Sequence, residues 1–426
     1  MTEIDTRAAS QASLAYRGYV LVILVLVYTF NFMDRQIVGI LAVPIKADLF
    51  LTDSQLGLMG GLAFALFYTS LGIPVARLAD RVSRTGIMTC ALALWSAMTA
   101  ACGLTHSFVQ LFLARLGVGV GEAGGVAPAY SLICDYFPRP ERARALSVYS
   151  FGIPIGSAAG MVAGGLISSL ISWRVAFFIV GLAGLVITPI FKLTVREPVR
   201  GIFDQPGTLH VQPTFRHIFA VLRRKPSFWG LALGAAASSM MGYGVFFWIP
   251  SFLVRSFGLN LLQASLSFGA LVLVGGIIGI WSGGVIADRV GEKHKSAYAL
   301  IPAIAFVATL PFYVVGVLST SLSMSIVVMI VPIALGLAWL GPILAAVQHL
   351  VPANMRSTAS AIFLFINNLI GIGLGTTLIG ALSDAMHARF GADSLRYAIL
   401  AGTGFYLVAA LFFILASQRL EKDWET

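Results

Sequence analysis

Residues 76–84 read Ala-Arg-Leu-Ala-Asp-Arg-Val-Ser-Arg, and residues 284–293 read Gly-Val-Ile-Ala-Asp-Arg-Val-Gly-Glu-Lys. Each stretch closes a long apolar run and opens a short basic loop. A second motif, with proline, arginine and alanine at one fixed spacing, repeats in the same order at Pro138, Arg142 and Ala145 and at Pro352, Arg356 and Ala359. Two motifs that recur in the same order in the two halves of one chain predict two structurally related halves.

The rest of the chain is strongly apolar. Of its 426 residues, 58% are hydrophobic and 11% are charged, and the mean hydropathy is +0.89. This composition leaves too little polar surface for a soluble globular protein. Apolar runs of roughly eighteen residues or more recur, and each can cross a hydrocarbon core about 30 Å thick. A soluble helical solenoid would keep a charged outer face, which these runs lack. We therefore expect an integral membrane protein.

Hydropathy predicts twelve membrane-spanning helices, with Gly, Pro and charged residues marking their ends. They are numbered here as spans 1–12. The spans lie near residues 17–42, 54–78, 86–105, 108–134, 143–170, 174–195, 227–254, 262–286, 297–318, 321–350, 357–383 and 395–417. The predicted fold class is an all-α integral membrane protein with two pseudo-symmetric six-helix halves, at 1–195 and 227–426. A cytoplasmic linker at 196–226 joins the halves, and the spacing of apolar and basic residues at 214–225 predicts an amphipathic surface helix within it.

Lysine and arginine are distributed asymmetrically about the spans. If both termini are cytoplasmic, most of the 28 lysines and arginines lie on the cytoplasmic side, five lie outside, and Arg35 and Arg115 lie within spans. The positive-inside rule favours this orientation. The chain has no Asn-x-Ser/Thr glycosylation acceptor, which is compatible with a bacterial inner membrane. We expect a multi-pass protein of that membrane, functional as a monomer.

Two carboxylates, Asp34 and Glu122, lie deep in predicted spans of the N-terminal half. A charged side chain at the centre of a bilayer costs roughly 3 kcal/mol on insertion scales, so such a residue indicates a functional site. The spacing of Arg115 and Glu122 places them on one stripe of span 4. The residues of span 1 that share a face at spacings of three, four and seven are Tyr28, Asn31, Asp34 and Arg35.

These side chains predict a proton-coupled anion site. When both acids are ionised, the two acids and the two arginines sum to zero charge, and protonation of one acid leaves a net positive charge. We expect Asp34 to be the main proton carrier and Glu122 a second titrating group. Arg35 and Arg115, with Asn31 and Tyr28, would hold the counter-charge or a substrate group. The alternative is a pair of ion pairs that only locks helices together.

The second half carries no ionisable residue deep in a span by this assignment. Its candidate cavity wall is aromatic and amide-rich, and consists of Tyr243, Trp248, Trp339, Asn367 and Asn368. A cavity with one charged wall and one apolar, aromatic wall suits a molecule with an ionic head and a hydrocarbon tail.

Several other functions are disfavoured by missing motifs. The sequence has no Gly-x4-Gly-Lys-Ser/Thr loop and no Gly-Lys dipeptide, which argues against an ATP-driven pump. It also has no His-Glu-x-x-His motif or other metal-binding pattern. We expect no enzymatic activity, no metal and no cofactor beyond the coupling proton, and we expect the substrate and the lipid bilayer as the only partners. A membrane enzyme and a non-transporting sensor stay open as alternatives.

The loop motifs resemble the signature of the major facilitator superfamily, Gly-x-x-x-Asp-Arg/Lys-x-Gly-Arg/Lys. The first copy departs from it at Ala76 and Ser83, whereas the second follows it from Gly284 to Lys293. Span 5 carries the glycine-rich run of the superfamily at Gly152, Gly156, Gly160 and Gly164. The resemblance implies secondary transport by alternating access. It also implies a cytoplasmic gate made of the charged residues at helix ends, namely Asp80, Arg81, Arg84, Arg142, Asp288, Arg289 and Arg356.

A finer resemblance comes from spans 1 and 4. Asn31-Phe-Met-Asp34-Arg35 and Arg115-x3-Gly119-Val-Gly121-Glu122-Ala123 are similar to the spinster family of proton-linked lipid transporters. Members of that family move sphingosine-1-phosphate or lysophospholipids, so the resemblance implies a lipid of this type as the substrate. Organic-anion:proton symporters of the same superfamily share the Asn-x-x-Asp-Arg pattern and a glutamate in their fourth helix. Small hydrophilic organic anions are therefore the alternative substrate class.

Overall fold

The computed structural model describes residues 13–79, 81–200, 203, 215–291, 293–352 and 355–424. Over those ranges the regular structure is helical, and no strand occurs. The predicted all-α class is therefore confirmed.

In both halves the helices follow the predicted spans, and several spans consist of more than one helix. The helices of spans 1–6 are Leu14–Leu49, Asp53–Gly60, Leu62–Ala79, Arg84–Cys102, Phe108–Glu122, Val126–Tyr136, Arg139–Ser150, Gly152–Leu170 and Trp173–Thr194. Those of spans 7–12 are Pro226–Phe257, Leu261–Gly291, Ala297–Leu318, Leu322–Leu337, Leu340–His349, Arg356–Phe390, Ser394–Gly402 and Gly404–Asp423, with a short 3-10 turn at Gly391–Asp393.

Ten stretches of the described residues are long and apolar enough to cross a membrane. One of them, Thr358–Asp423, contains both span 11 and span 12. Span 4 is absent from the ten because a turn at 123–125 divides it into helices of 15 and 11 residues. These two differences account for the gap between ten stretches and twelve predicted spans.

Contacts divide the chain into two compact units. The first comprises the described residues within Met1–Leu49 and Ala63–Leu209, and the second comprises those within Phe50–Leu62 and His210–Thr426. The short helix Asp53–Gly60, which begins span 2, therefore groups with the second unit.

Close helix packing fixes the rotation of span 1. Span 5 presents glycines to span 1, and a Cβ atom on Gly160 would lie 2.6 Å from Met33 O and 2.8 Å from Met33 Cα. Small residues allow two helix backbones to approach closely in a membrane. Since Met33 faces span 5, the next residue, Asp34, is directed to other neighbours, and it bonds to Thr99 of span 3 and Arg115 of span 4. Packing of spans 1 and 5 thus positions the buried carboxylate.

Linker residues 215–223 form a helix, as the amphipathic pattern predicts, while Thr214 lies outside the described residues. Ile218 and Leu222 are buried, whereas Phe215 and Phe219 are exposed. The buried pair lies one turn apart and faces spans 7 and 11. The two phenylalanines remain available as an apolar surface.

Candidate functional site

The four ionisable side chains deep in the first half lie together as two ion pairs. Arg115 Nη1 donates to Asp34 Oδ1 at 3.2 Å, and Arg35 Nε donates to Glu122 Oε2 at 2.7 Å. Asp34, Glu122 and Arg115 are buried, and the side chain of Arg35 is 12% exposed. Buried charges are tolerated when they are paired and hydrogen-bonded. The four charges sum to zero, so protonation of either acid leaves the site positive.

Glycines of span 4 bring Glu122 and Arg115 into this site. A Cβ atom on Gly119 would lie 2.6 Å from Phe64 O of span 2, and one on Gly121 would lie 2.6 Å from Trp95 N of span 3. Without side chains at these two positions, span 4 lies against the backbones of both neighbours. Arg115 and Glu122, seven residues apart, then face span 1 on one stripe.

Asp34 has a second hydrogen bond that the sequence did not predict. Thr99 Oγ1 lies 2.7 Å from Asp34 Oδ2, and Thr99 is fully buried. Arg115 thus bonds one carboxylate oxygen, and Thr99 bonds the other. A threonine in an apolar span carries no sequence signal of such a role, because its hydroxyl can equally bond to its own helix.

Arg35 is surrounded by aromatic rings as well as bonded to Glu122. Its guanidinium carbon lies 5.0 Å from the ring centroid of Phe32, 4.8 Å from that of Phe64 and 4.5 Å from that of Tyr68. Cation–π contacts of this kind stabilise a desolvated arginine. Phe64 and Tyr68, four residues apart on span 2, were missed by the sequence analysis, although their helical spacing is the signal that could have found them.

Tyr28 and Asn31 extend the site along span 1. Tyr28 stacks on Tyr149 of span 5 with ring centroids 4.3 Å apart, and Tyr130 of span 4 packs edge-on against Tyr149. Asn31 is buried, and neither its side-chain oxygen nor its side-chain nitrogen has a hydrogen-bond partner among the described residues. Buried amides are normally hydrogen-bonded, so Asn31 keeps unused hydrogen-bonding capacity next to the two ion pairs.

Two of the predicted wall residues of the second half are linked by hydrogen bonds. Ser239 donates to Asn367 Oδ1 at 2.8 Å, and Asn367 Nδ2 donates to Asn368 Oδ1 at 3.2 Å. Asn368 and Tyr243 are partly exposed. The bond from Ser239 joins span 7 to span 11 within the second unit.

Trp248 and Trp339, predicted as cavity-wall residues, are both buried in the helix packing. Trp248 has no exposed surface, and its indole N–H donates to Thr376 O at 2.9 Å. Trp339 is also buried. Their role in a cavity wall stays a prediction. A large apolar side chain whose polar atom has an internal partner is more favourable inside the helix packing.

Arg84, predicted as a gate residue, lies inside a polar network of the first unit. It bonds to Asp135, to Ser131 Oγ at 2.8 Å and to Glu197 Oε1 at 2.7 Å. Burial opposes ionisation of Glu197, but bonds from the Thr85 N–H and from Arg84 outweigh it and hold the pKa of Glu197 below its ordinary value. Arg84 therefore ties the start of span 3 to span 4 and to the segment after span 6.

The other predicted gate residues are distributed differently. Arg81 and Arg289 are exposed. The side chains that lie outside the described part of the structure are those of Asp80, Arg142, Asp288 and Arg356. Their role in a gate stays a prediction.

A polar cluster within the second unit was missed by the sequence analysis. Arg255 donates two hydrogen bonds of 2.7 Å to Asp53, whose Oδ2 also accepts a bond of 2.7 Å from Ser383. Asp384 accepts bonds from the backbone and hydroxyl of Ser54 at 2.7 and 2.6 Å. The sequence predicted only the start of a helix near Asp53, because hydrogen-bond partners 200 or more residues apart leave no local sequence pattern.

Comparisons with known proteins agree with this architecture. Residues 24–376 match the family model of the Major Facilitator Superfamily. The chain is 34% identical to an MFS-type efflux pump of Mycolicibacterium smegmatis, over 94% of this chain and 92% of the relative. It is 28% identical to the sphingosine-1-phosphate transporter SPNS2 of Danio rerio, over 92% of this chain and 84% of the relative.

A solved structure is similar over almost the whole chain. It is the crystal structure of a bacterial homolog to the human lysosomal transporter Spinster, in an inward-facing and unoccupied conformation. The TM-score is 0.91 at 32% identity, with 97% of this chain and 100% of the other chain covered.

Proposed function

The chain belongs to the Major Facilitator Superfamily and is a membrane transporter of the spinster type, and from that premise we propose that it moves an amphipathic anionic or zwitterionic lipid by proton-coupled alternating access. The observation that carries the proposal is the pair of buried carboxylates, each bonded to an arginine: Asp34 to the buried Arg115 and Glu122 to the partly buried Arg35. A lysophospholipid or a molecule like sphingosine-1-phosphate fits the proposed chemistry.

Proton coupling follows from the charge balance of the site. When Asp34 binds a proton, Arg115 loses its counter-charge in a region of low dielectric. An unpaired buried charge is costly, so an anionic head group near Arg115 becomes more favourable. Protonation and anion binding therefore support each other, and release of one promotes release of the other. Glu122 and Arg35 form a second pair of the same kind.

One relative supports an amphipathic substrate. The Danio rerio relative is named a sphingosine-1-phosphate transporter, and that molecule combines a phosphate with a hydrocarbon chain. In this chain, the aromatic rings around Arg35 would receive the part of the lipid next to its head group, while Asn31 would bond to a polar atom of the head group.

The test compares flux of a labelled lysophospholipid with flux of a labelled sugar acid in proteoliposomes, each with and without a pH gradient. We expect the gradient to accelerate the lysolipid, and a proton ionophore to abolish the acceleration. Protein-free liposomes measure spontaneous lipid movement. Gradient-driven flux of the sugar acid alone would favour the organic-anion alternative, lipid turnover would favour an enzyme, and binding without flux would favour a sensor.

We further propose that the protein lies in a bacterial inner membrane with both termini cytoplasmic and acts as a monomer. Labelling with a membrane-impermeant thiol reagent tests the orientation. In a variant without the native cysteines, Thr320→Cys should react in intact cells, and Lys422→Cys only after permeabilisation. The opposite pattern would overturn the orientation.

A further inference from the structure

The Thr99 hydroxyl lies between two acceptors. Its oxygen is 2.7 Å from Asp34 Oδ2 and 2.9 Å from the backbone oxygen of Trp95, one turn earlier in the same helix. A hydroxyl carries one proton, so it can donate to only one of the two at a time, while its oxygen can still accept. Thr99 has no exposed surface. The geometry therefore allows two hydrogen-bond arrangements without movement of any heavy atom.

We propose that Thr99 is the positioning residue that stabilises Asp34 in both of its protonation states. In the ionised state, Thr99 donates to Asp34 Oδ2. In the protonated state, Oδ2 carries the proton and donates to Thr99 Oγ1, and the Thr99 hydroxyl turns to donate to Trp95 O. The proton taken up stays on Asp34, and Trp95 O accepts only a hydrogen bond. This inference rests on the proposed function, in which Asp34 carries the coupling proton.

The surroundings of Asp34 explain why such a residue matters. Arg115 bonds Oδ1, which leaves Oδ2 as the oxygen that receives the proton. The other charged or titratable groups that act on Asp34 in the described structure are Arg35, Glu122 and Cys102. Thr99 donates from span 3 to Oδ2 at 2.7 Å, so its hydroxyl acts on the oxygen that Arg115 leaves for the proton. An unsatisfied buried donor or acceptor would otherwise disfavour one of the two states.

Threonine is well suited to this position. Its β-branched side chain has few rotamers in a helix, and its hydroxyl can reach the carbonyl of the preceding turn. The bond to Trp95 O therefore holds the oxygen in place when Asp34 is protonated. Other threonines of the first unit have the same bond to their own helix but no carboxylate partner, as at Thr188, whose hydroxyl lies 3.0 Å from Gly184 O.

The test measures the pH dependence of Asp34 protonation in the reconstituted protein by pH-difference infrared spectroscopy. The carbonyl stretch of protonated Asp34 is assigned by its loss in Asp34→Asn. Thr99→Val keeps the shape and removes the hydroxyl, Thr99→Ser keeps the hydroxyl, and Thr188→Val is the matched control. Proton-driven flux is measured as a function of pH in the same variants.

We expect Thr99→Val to move the pH midpoint of the Asp34 band, and of flux, upward by on the order of one pH unit. A bond donated to a carboxylate is stronger than a bond between neutral groups, so its loss disfavours the ionised state more. The carbonyl band of the protonated acid should also move to higher frequency, because its hydrogen-bond acceptor is gone. Thr99→Ser should stay within a few tenths of a unit of the wild type, and Thr188→Val should match the wild type.

An unchanged midpoint in Thr99→Val, or an equal shift in Thr99→Ser, would overturn the role of Thr99. If Thr99→Val fails to fold, Thr99→Ala replaces it, with the same expected shift of the pH midpoint and the same result that would overturn the proposal. The outcome is separable from that of the proposed function. If Asp34→Asn keeps proton-driven flux, the proposed function fails, and the role of Thr99 fails with it. If Asp34→Asn loses that flux but Thr99→Val has the same pH midpoint as the wild type, only the role of Thr99 is overturned.

Discussion

At the scale of single residues, the site depends on two arginines that neutralise two buried acids. The spacing of Asn31, Asp34 and Arg35 on span 1 was sufficient to predict one shared face, because helical periodicity is a local property. The partner of each acid was open, since pairing depends on how span 4 is rotated against span 1. The structure pairs Asp34 with Arg115 and Glu122 with Arg35.

The Asp34–Arg115 pair can be tested for a role beyond holding helices together. Arg115→Gln leaves Asp34 buried without its cation and should lower the free energy of unfolding by about 3–5 kcal/mol. The double variant Asp34→Asn/Arg115→Gln removes both charges and should recover much of that loss. Thermal unfolding of both variants and the wild type in detergent measures the effect.

Transport separates the two interpretations of this pair. If Asp34 carries the proton, the double variant regains stability but not proton-driven flux. A double variant that regains both would show that the pair serves only as a lock between spans 1 and 4.

At the scale of elements, hydropathy and the positions of Gly, Pro and charged residues predicted where the spans lie, but not where their helices are interrupted. The helix of span 1 continues to Leu49, past the predicted end at 42, because Pro44 is accommodated inside it. A proline removes one helical hydrogen bond, and this can kink a helix without ending it. The turn at 123–125 in span 4 was also missed, although Gly124 and Gly125 were the available signal.

The glycines of span 5 give a prediction about helix packing. Gly160→Ala would place a methyl group against the backbone of Met33, so we expect a loss of about 1–3 kcal/mol and reduced flux. Gly269→Ala is the matched control, because a Cβ there has no heavy atom within 4 Å apart from the local backbone of its own helix, and alanine favours the helix. Thermal unfolding distinguishes the two variants. Equal stability would show that spans 1 and 5 tolerate separation at this point.

The segment after span 6 gives a prediction about pH. The folded protein holds the pKa of Glu197 below the ordinary value of 4.5, so its contribution to stability is fully present above that value. The contribution is lost as pH falls below 4.5 through the folded pKa. Glu197→Gln should therefore be less thermostable than the wild type at pH 7, with a difference that shrinks at acidic pH.

The exposed Glu421→Gln is the control for this change. It should match the wild type at pH 7. A deficit of Glu197→Gln that stays constant down to the most acidic pH would contradict the assigned bonds to Arg84 and Thr85.

At the scale of the whole molecule, the two halves repeat in sequence but differ in charge. The repeated loop motifs were sufficient to predict two related six-helix halves and their superfamily. The Asp53–Arg255 cluster was beyond prediction, because it joins residues far apart in the sequence through contacts that only the fold creates. We propose that spans 1, 3 and 4 carry the coupling chemistry, and we expect spans 7 and 11 to contribute to substrate selection.

The central claim is that Asp34 couples the proton to the substrate. The most direct measurement compares net proton-driven uptake with substrate exchange in proteoliposomes that contain Asp34→Asn. Exchange of labelled for unlabelled lysophospholipid needs no proton release, so the variant should retain it while uptake driven by a pH gradient falls to the protein-free level. The exposed Asp393→Asn should keep both activities. Full gradient-driven uptake by Asp34→Asn would contradict the claim.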